Sequence, residues 1–327
     1  MVKRKVVVIG GGTGTFPVIS SLKHQGVEIA SIIAVSDSGG STGKLRDEFG
    51  FQPVGDLRQA LAALAELEGE EWIRKILLYR FEKGEGLKGH NLGNLLLTAL
   101  QDMTGDTTEA LLIAEKIFRI QGEVIPATKD NVHLQIEYAD GDMAIGEHVL
   151  DGKLTEVKKI KQVKLVDKAK INDQAARAIK EANVIVIGPG DYYASLFAAL
   201  LPDGTKSAFA QTKATIVYFI NLMTRFTQTH EMSAADHLTG IEELIGRPVD
   251  KVVLNNEAIQ DEMLALYAAD REYPVVDDLN DVRVIRHPLL SPQIFEKSSN
   301  DTAHRSLLRH DPEKLQAVLA QILQDSI

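Results

Sequence analysis

Two glycine-rich segments near the N-terminus carry the residues best suited to bind a phosphate group. One follows the apolar run at residues 6–9. The other begins at Asp37, directly after the mostly apolar run at residues 31–36. Glycine allows tight turns that present backbone N–H groups to a ligand, while hydroxyl and basic side chains add further donors. The candidate phosphate-binding residues here are Gly11, Gly12, Thr13, Gly14, Thr15, Asp37, Ser38, Gly39, Gly40, Ser41, Lys44 and Arg46.

Both segments follow predicted strands. Residues 6–9 are all apolar, as expected of a strand that is buried on both faces of a parallel sheet. Residues 16–22 predict the helix after the first glycine turn, and residues 31–36 predict the second strand. Because consecutive βα units present their loops at one edge of a sheet, the two loops should lie side by side and form the binding site.

Three familiar patterns fit these loops incompletely. The dinucleotide fingerprint G-x-G-x-x-G begins at Gly10, but Thr15 occupies its third glycine position. A P-loop would need glycine at Ser38 and serine or threonine at Leu45. Residues 39–43 match the nucleophile elbow G-x-S-x-G, but a hydrolase also needs a paired acid and histidine, which no spacing indicates. Binding of a diphosphate by both loops is the favoured interpretation.

Later segments repeat the sequence of a strand followed by glycine or polar residues. A glycine turn precedes a predicted helix near residue 190, although a purely structural turn explains it equally well. In a parallel sheet, polar residues at later strand ends face the same crevice, and asparagines that open a helix have capping as their alternative role. The additional candidates are Asn94, Gly188, Pro189, Gly190, Asp191 and Asn221.

The composition excludes several classes of site. There is no cysteine, so disulfides, thiolate catalysis and cysteine-bound metal clusters are excluded. The nine histidines show no zinc-ligand spacing. A net charge of −10 disfavours binding to nucleic acid or to an anionic membrane surface. No run approaches the roughly 18 apolar residues of a membrane helix. We therefore expect a cytoplasmic protein that neither binds nucleic acid nor inserts into a membrane.

The order of the predicted elements indicates an α/β protein. Residues 56–120 are mostly helical, and residues 124–164 show the alternation and turn signals of a small β-hairpin insertion. Strands alternate with helices from residue 173 onward. The economical arrangement is a Rossmann-like, doubly wound, mostly parallel sheet with helices on both faces. We expect a single domain over residues 1–327.

Local signals predict the individual elements. Asp56 is predicted to cap a helix, and residues 106–109 have the form of a capping box. Residues 95–100 are apolar on nearly every side and predict a buried helix. Further strands are predicted at residues 132–138, 184–187, 215–220, 251–254 and 282–285, and further helices at residues 173–182, 233–245, 256–269 and 312–323.

With these residues in place, the chain resembles the YvcK family of gluconeogenesis factors, which is related to the 2-phospho-L-lactate transferase (CofD) superfamily. The resemblance covers nearly the whole chain, and a set of motifs in a fixed order makes it specific. The motifs are IGGGTGT at residues 9–15, VSDSGGSTGKLR at 35–46, PVGDLRQAL at 53–61, GHNLGNLLL at 89–97, GPGDYYASL at 188–196, NLMT at 221–224 and RHDPEKL at 309–315.

The resemblance implies a CofD-like domain in a cytoplasmic bacterial protein that binds a nucleotide sugar such as UDP-N-acetylglucosamine without turnover. It implies a role in cell shape and wall synthesis during gluconeogenic growth, exerted through protein partners in cell-wall synthesis. A bound nucleotide or phosphate is expected, and no cofactor is required. The matching positions are the loops already named, with Arg309 as an anion partner beside the pocket.

Departures from the family pattern keep other functions open. Ser38 follows Asp37 where the transferase branch has paired aspartates, and residues 225–228 read Arg-Phe-Thr-Gln instead of the usual Gln-Pro-Gly-Glu. The main alternative is a Mg²⁺-dependent phospho-group transferase with Asp37 and Asp56 as metal-ligand or base candidates. An NAD-binding oxidoreductase is less well supported because of Thr15. We also expect a homodimer, with the helical block and the hairpin insertion as available surfaces.

Overall fold

A computed structural model of the chain describes residues 3–65, 70–150, 152, 156–293 and 306–326. Its strands form two sheets, a large one through the centre and a small one beside it. In chain order they are β1 (Lys5–Gly10), β2 (Glu28–Ile33), β3 (Glu123–Pro126), β4 (His133–Tyr138), β5 (Met143–Ile145), β6 (Ile160–Val166), β7 (Val184–Ile187), β8 (Thr215–Phe219), β9 (Lys251–Asn255) and β10 (Val284–His287).

Helices cover both faces of the large sheet. A π-helical turn at Tyr192–Phe197 leads directly into the eighth of them. In chain order they are α1 (Phe16–Leu22), α2 (Gly40–Phe49), α3 (Gly55–Leu64), α4 (Glu70–Leu78), α5 (Leu92–Thr104), α6 (Thr107–Ile117), α7 (Asp173–Glu181), α8 (Ala198–Leu200), α9 (Thr205–Gln211), α10 (Ala234–Ile245), α11 (Asp261–Ala269) and α12 (Pro312–Asp325).

The large sheet has seven strands in the order β10–β9–β8–β7–β1–β2–β3, and all neighbours are parallel. Strands β1 to β3 extend the sheet in one direction, and β7 to β10 extend it in the other. The strand order therefore reverses between β1 and β7. In doubly wound sheets a crevice opens at such a reversal, outside the carboxyl ends of the strands. The predicted Rossmann-like fold class is confirmed.

The apolar strand β1 contributes side chains to the hydrophobic core on both faces of the large sheet, as its sequence predicts. Val7 and Ile9 pack into the cluster on one face of the sheet, and Val6 and Val8 pack into the cluster on the other. Each of these side chains is at most 1 % exposed. The pleat sends successive side chains to opposite faces, so only a strand covered by helices on both sides can be apolar at every position.

The glycine-rich region after β2 differs from the sequence prediction. Strand β2 lies at Glu28–Ile33, earlier than predicted, because Glu28 pairs with Lys5 at the start of β1. Only residues 34–39 form a loop, since α2 begins at Gly40. A Cβ atom on Gly43 would collide with the Ser38 carbonyl oxygen, so glycine here allows the helix to begin directly against the loop.

The hairpin insertion begins later in the chain than the predicted residue 124. Residues 123–126 form β3, which pairs in parallel with β2 and belongs to the large sheet. The insertion proper is the antiparallel sheet β5–β4–β6. Leu134 and Ile136 of β4 are fully buried in the same core cluster as Val7 and Ile9, so the insertion packs onto the large sheet. Predictions at residues 151 and 153–155 lie outside the described residues.

Of the two capping predictions, the one at residues 106–109 is confirmed and the one at Asp56 is wrong. Asp106 caps α6, and Ser233 forms a capping box with Asp236 at the start of α10. Asp56 does not cap a helix, because α3 already begins at Gly55 and places Asp56 in its first turn. The helix predicted from residue 256 begins only at Asp261.

Among the residues that the structure describes, no helix is long and apolar enough to cross a membrane.

Candidate functional site

A cleft of about 400 Å³ opens at the carboxyl ends of the parallel strands, where the strand order reverses. This volume is within the range of small-molecule sites. The loops after β1, β2, β7 and β8 line it, together with the starts of α2 and α3 and the segment before α12. The predicted residues that line it are Gly11, Gly12, Thr13, Gly14, Asp37, Gly39, Gly40, Ser41, Asp56, Asn94, Pro189, Gly190, Asp191, Asn221 and Arg309.

The glycine loops after β1 and β7 are packed directly against each other. A Cβ atom on Gly14 would lie 2.5 Å from the Pro189 carbonyl oxygen and 2.6 Å from the Gly190 Cα atom, so only glycine fits there. Asn221, at the end of β8, fixes the second loop: its Nδ2 donates to the Gly190 oxygen at 2.9 Å, and its Oδ1 accepts from the Gly190 N–H at 3.5 Å. The cleft floor is therefore rigid backbone from three neighbouring strand ends.

Two ten-residue helices, α2 and α3, begin at this cleft without a capping side chain. Their N-cap residues are Gly39 and Val54, which have no side-chain oxygen. Helix starts carry N–H groups without helical partners and the positive end of the helix dipole, both of which favour an anion. Five other helices satisfy these groups internally through the side chains of Asn91, Asp106, Asn172, Ser233 and Asp311.

A buried polar chain fixes the start of α2. Arg58 of α3 donates from Nε to the Asn94 Oδ1 atom at 2.7 Å and from Nη1 to the Leu77 oxygen at 3.0 Å. The Asn94 amide in turn donates to the Ser41 and Thr42 hydroxyls, at 3.4 and 3.3 Å. Arg58 is only 5 % exposed. The helical block thus positions α2 through hydrogen bonds, which gives Asn94 a role beyond capping.

Two carboxylates lie at the same cleft. Asp56 lies against the backbone of Gly11 and Gly12, and the Asp37 Oδ2 atom is 2.7 Å from the position of a Cβ atom on Gly55. The Asp37 Oδ1 atom accepts from the Gly39 N–H at 2.8 Å. No cluster of three or more potential metal ligands occurs among the described side chains. Mg²⁺ commonly binds through one or two carboxylates plus ligand phosphates, so each of these residues offers a carboxylate of the kind that such an ion requires.

A second charged cluster lines the cleft beside the β7 and β8 loops. Arg225 lies between Asp191, with Nη1 2.5 Å from Oδ1, and Glu272, with Nε 4.0 Å from Oε1. The Glu272 side chain is 7 % exposed. Burial raises the pKa of Glu272 to about 7, although the nearby Arg225 guanidinium acts in the opposite direction. This departure from the family pattern therefore places an arginine between two carboxyl groups in the cleft, one half-exposed and one buried.

Two histidines at the cleft differ in environment. His310 is 6 % exposed, and burial lowers its pKa to about 4, so it is neutral at physiological pH. His148 comes from the insertion and connects it to the loop after β2: its Nδ1 atom lies 2.9 Å from the Ser38 hydroxyl oxygen, which also accepts from the His148 N–H at 3.1 Å.

Five predicted residues do not line the cleft. Lys44 is exposed on the outer side of α2. Arg46 is buried and donates to Asn131 Oδ1 and to the Val132 oxygen, both at 2.6 Å, so it holds the insertion instead. Helix α2 explains both positions, because each residue advances about 1.5 Å along the helix axis and residues 44 and 46 therefore lie a turn or more beyond the N-terminus that opens at the cleft. The others are Thr15, Ser38 and Gly188.

Several cleft residues were absent from the sequence prediction. Arg58 lies within the motif at residues 53–61 and could have been proposed from that motif. Thr42, Gly55, Gln59, Ser195 and His310 also lie within the quoted motifs, whereas the remaining residues lie outside them and only folding brings them to the cleft. The residues missed are Thr42, Gly55, Arg58, Gln59, Arg80, Glu147, His148, Ser195, Arg225, Gln228, Glu272 and His310.

The chain is similar to known proteins over nearly its whole length. The family model of 2-phospho-L-lactate transferase CofD matches residues 6–293. A gluconeogenesis factor of Halalkalibacterium halodurans is 36% identical over 98% of this chain and 97% of its own length. That of Bacillus subtilis is 33% identical over 99% of both. A crystal structure of a Bacillus halodurans protein superposes with a TM-score of 0.88 and 36% identity, over 97% of this chain and 99% of that one. The chain therefore belongs to the CofD-like family, in its gluconeogenesis-factor branch.

Proposed function

We propose that this protein binds a nucleotide sugar of the UDP-N-acetylglucosamine type across the carboxyl ends of the strands. The observation that carries the proposal is the pair of helix starts, α2 and α3, which open at the cleft with Gly39 and Val54 as N-caps. A diphosphate would accept hydrogen bonds from their first-turn N–H groups and from the adjoining glycine loop, as phosphates do at helix N-termini elsewhere.

The remaining walls of the cleft offer two kinds of chemistry. The cluster of Asp191, Arg225 and Glu272 provides charged acceptors and donors for sugar hydroxyls. Leu222, Met223 and Leu308 line the cleft nearby and provide apolar surface for a base or an acyl group. The choice of a UDP-sugar rests on the family resemblance, and the polar and apolar walls support a ligand with both kinds of surface.

In the cell, we propose that the bound state of the protein is transmitted to partners in cell-wall synthesis and affects cell shape during gluconeogenic growth. This proposal rests on the resemblance and on the names of the relatives, which are gluconeogenesis factors. A cytoplasmic location follows from the same proposal, since nucleotide sugars for wall synthesis are made there.

Isothermal titration with UDP-N-acetylglucosamine, UDP-glucose, UDP, GDP and NAD⁺, each with and without Mg²⁺, tests the ligand. UDP-sugars are expected to bind with the highest affinity. Asn221→Ala frees the Gly190 loop and should weaken binding about tenfold, the effect of losing about 1.4 kcal/mol. Asn172→Ala is the matched control, because that asparagine caps α7 through Gln174 N–H and does not line the cleft.

Two other outcomes of the titration would reject parts of this proposal. Binding of NAD⁺ alone would favour an oxidoreductase and reject the UDP-sugar proposal. Binding of UDP-sugars that is equally weakened by Asn221→Ala and Asn172→Ala would leave the ligand class intact but would reject the role assigned to the loop after β7.

The second candidate is a Mg²⁺-dependent phospho-group transferase, favoured by the carboxylates of Asp37 and Asp56 on the cleft. Bound Mg²⁺ would neutralise phosphate charge there, and Asp37 and Asp56 would hold it. Formation of a transfer product from a nucleotide-activated phosphoester, lost in both Asp37→Asn and Asp56→Asn, would support this function. If the wild type binds Mg²⁺ and nucleotide but forms no product, the binding function stands alone.

A further inference from the structure

A serine and a histidine from distant segments meet beside the cleft. Ser41 is the second residue of α2 and lines the cleft, and its Oγ atom lies 3.1 Å from the Nδ1 atom of His90. His90 comes from the connection between α4 and α5, 49 positions further along the chain. A hydroxyl within hydrogen-bond reach of an imidazole nitrogen is the arrangement that activates serine as a nucleophile.

The hydrogen bonds around Ser41 have a defined direction. A guanidinium group can only donate, so the Nε atom of Arg58, 2.7 Å from the Asn94 Oδ1 atom, fixes which way the Asn94 amide faces. The Asn94 Nδ2 atom then donates to the Ser41 Oγ atom at 3.4 Å. This leaves the hydroxyl hydrogen of Ser41 for His90 Nδ1, which accepts it when the imidazole carries its own proton on Nε2. The chain of hydrogen bonds therefore ends on a proton acceptor.

The backbone of His90 is held on both sides of the ring. Its N–H donates to the Leu87 oxygen and its carbonyl oxygen accepts from the Phe81 N–H, both at 2.9 Å. His90 contacts Ser41 but is not one of the residues that line the cleft. Among the described residues no carboxyl group contacts its imidazole. The pair is therefore a dyad without the acid of a triad, and slow chemistry is expected of it.

The sequence around Ser41 has the pattern that such a nucleophile requires. Residues 39–43 read G-G-S-T-G and lie between β2 and α2, which is the strand–turn–helix context of a nucleophile elbow. The fold supplies the histidine that no sequence spacing indicated. Backbone N–H groups in the same first turn of α2 can stabilise negative charge that develops on a phosphate oxygen.

We propose that Ser41 is a nucleophile, with His90 as its base, and that it takes up one phosphate group of a phosphoanhydride bound in the cleft. The Ser41 Oγ atom forms a bond to phosphorus, and its proton passes to His90 Nδ1 and from there to the departing phosphate. The bridging P–O bond breaks, and its electron pair stays on that phosphate. The products are a phosphate ester on Ser41 and a free phosphate monoester.

The identity of the phosphoanhydride as a nucleotide sugar rests on the proposed function, whereas the activation of Ser41 rests on its own contacts. A UDP-sugar would leave either its nucleotide half or its sugar half on Ser41 and release the other half as a monoester. Because the dyad lacks an acid, the ester on Ser41 should persist long enough to be detected by mass spectrometry.

A second serine–histidine pair provides a matched control. The Ser38 Oγ atom lies 2.9 Å from the His148 Nδ1 atom, but it also accepts from the His148 N–H, and Ser38 does not line the cleft. Ser38→Ala therefore removes a hydroxyl beside a histidine in the same segment of chain and leaves the Ser41–His90 pair in place.

Labelling of the full chain with a fluorophosphonate, mapped by peptide mass spectrometry, tests the nucleophile without assuming its ligand, because this probe bonds to activated serine hydroxyls. Ser41 should be labelled in the wild type and in Ser38→Ala, and Ser41→Ala should lose the label with its thermal midpoint showing that it is folded. In His90→Ala the labelling rate should fall at least about a hundredfold, the usual effect of losing a general base. Added imidazole should restore part of that rate, which a purely structural role of His90 would not allow.

Incubation with UDP-N-acetylglucosamine tests the transfer step. The wild type and Ser38→Ala should gain a covalent adduct on Ser41 and release an equal amount of the other half of the ligand. If the wild type binds UDP-sugars but Ser41 gains neither label nor adduct, the nucleophile is rejected and the proposed binding function stands. If Ser41 is labelled but no UDP-sugar binds, the nucleophile stands and the proposed ligand is rejected. If UDP-sugars bind and Ser41 is labelled without any adduct, the transfer step is wrong. Equal labelling rates in the wild type and His90→Ala would reject His90 as the base.

Discussion

The buried carboxylic acid Glu272 should make the stability of this protein depend on pH. Its ordinary pKa of 4.5 is raised to about 7 in the folded chain. The main cause is burial, with further raising by Asp270 and Asp191, while Arg225 lowers it. Between these two pH values the folded state binds a proton that the unfolded state has already released. The contribution of Glu272 to stability is therefore complete below about pH 4.5 and is lost as the pH rises through about 7.

The magnitude follows from the same two values. One pKa unit corresponds to about 1.4 kcal/mol, so ionisation of Glu272 in the folded chain costs roughly 3 kcal/mol at pH 8.5. With an unfolding entropy of about 2.1 cal/mol/K per residue, this is a shift of roughly 4 °C in the thermal midpoint. Glu272→Gln retains the shape of the side chain and removes the ionisation.

Urea unfolding at pH 5.5 and pH 8.5 tests this reasoning. The loss of unfolding free energy between the two pH values should be about 2–3 kcal/mol smaller in Glu272→Gln than in the wild type. Glu231→Gln is the control, because the side chain of Glu231 is 85% exposed, and it should follow the wild type. If Glu272→Gln shows the full wild-type pH dependence, Glu272 is ionised in the folded chain and the assigned effect of burial is wrong.

Two further substitutions test the geometry of the cleft and of the helical block. Gly14→Ala should destabilise the protein by about 1–3 kcal/mol, because its Cβ atom would lie 2.5 Å from the Pro189 oxygen. Gly190→Ala is the control, since a Cβ atom there meets no atom closer than 3.4 Å. Equal unfolding free energies for Gly14→Ala and Gly190→Ala would contradict the close packing of the two loops. Asn91→Ala removes the cap that accepts from the Asn94 N–H and should cost about 1 kcal/mol in urea unfolding. If the urea midpoint of Asn91→Ala equals that of the wild type, the Asn91 cap contributes nothing to the free energy of unfolding.

Prediction succeeded where the signal is local and strong. The strand predicted at residues 184–187 coincides with β7, and the strand predicted at residues 215–220 differs from β8 by one residue. Strands β7 and β8 are mostly apolar because helices cover both faces of the sheet. A strand buried on both faces needs apolar residues at successive positions, so its sequence reveals it. The capping signal predicted at residues 106–109 likewise located the start of α6, since the Asp106 side chain accepts from the Glu109 N–H three positions on.

Prediction was incomplete where a local pattern permits two structures. Residues 40–43 contain two glycines, a serine and a threonine, which are poor helix formers in isolation, yet they form the first turn of α2. Tertiary contacts decide this, because Asn94 holds the Ser41 and Thr42 hydroxyls and Gly43 packs on Ser38. The rise along α2 then places Lys44 and Arg46 beyond the helix start at the cleft, which could not be predicted while the segment was interpreted as a loop.

The amino-acid sequence by itself determined the α/β class, the glycine loops and the membership of a family, because each depends on short runs and on motifs in order. Only the tertiary structure decided that Arg225 lies between Asp191 and Glu272, and that His148 reaches the loop after β2. These contacts join segments far apart in the chain. They depend on strand order and on the placement of the insertion, and both are fixed by packing of the whole core, since no local pattern encodes which distant strand becomes a neighbour.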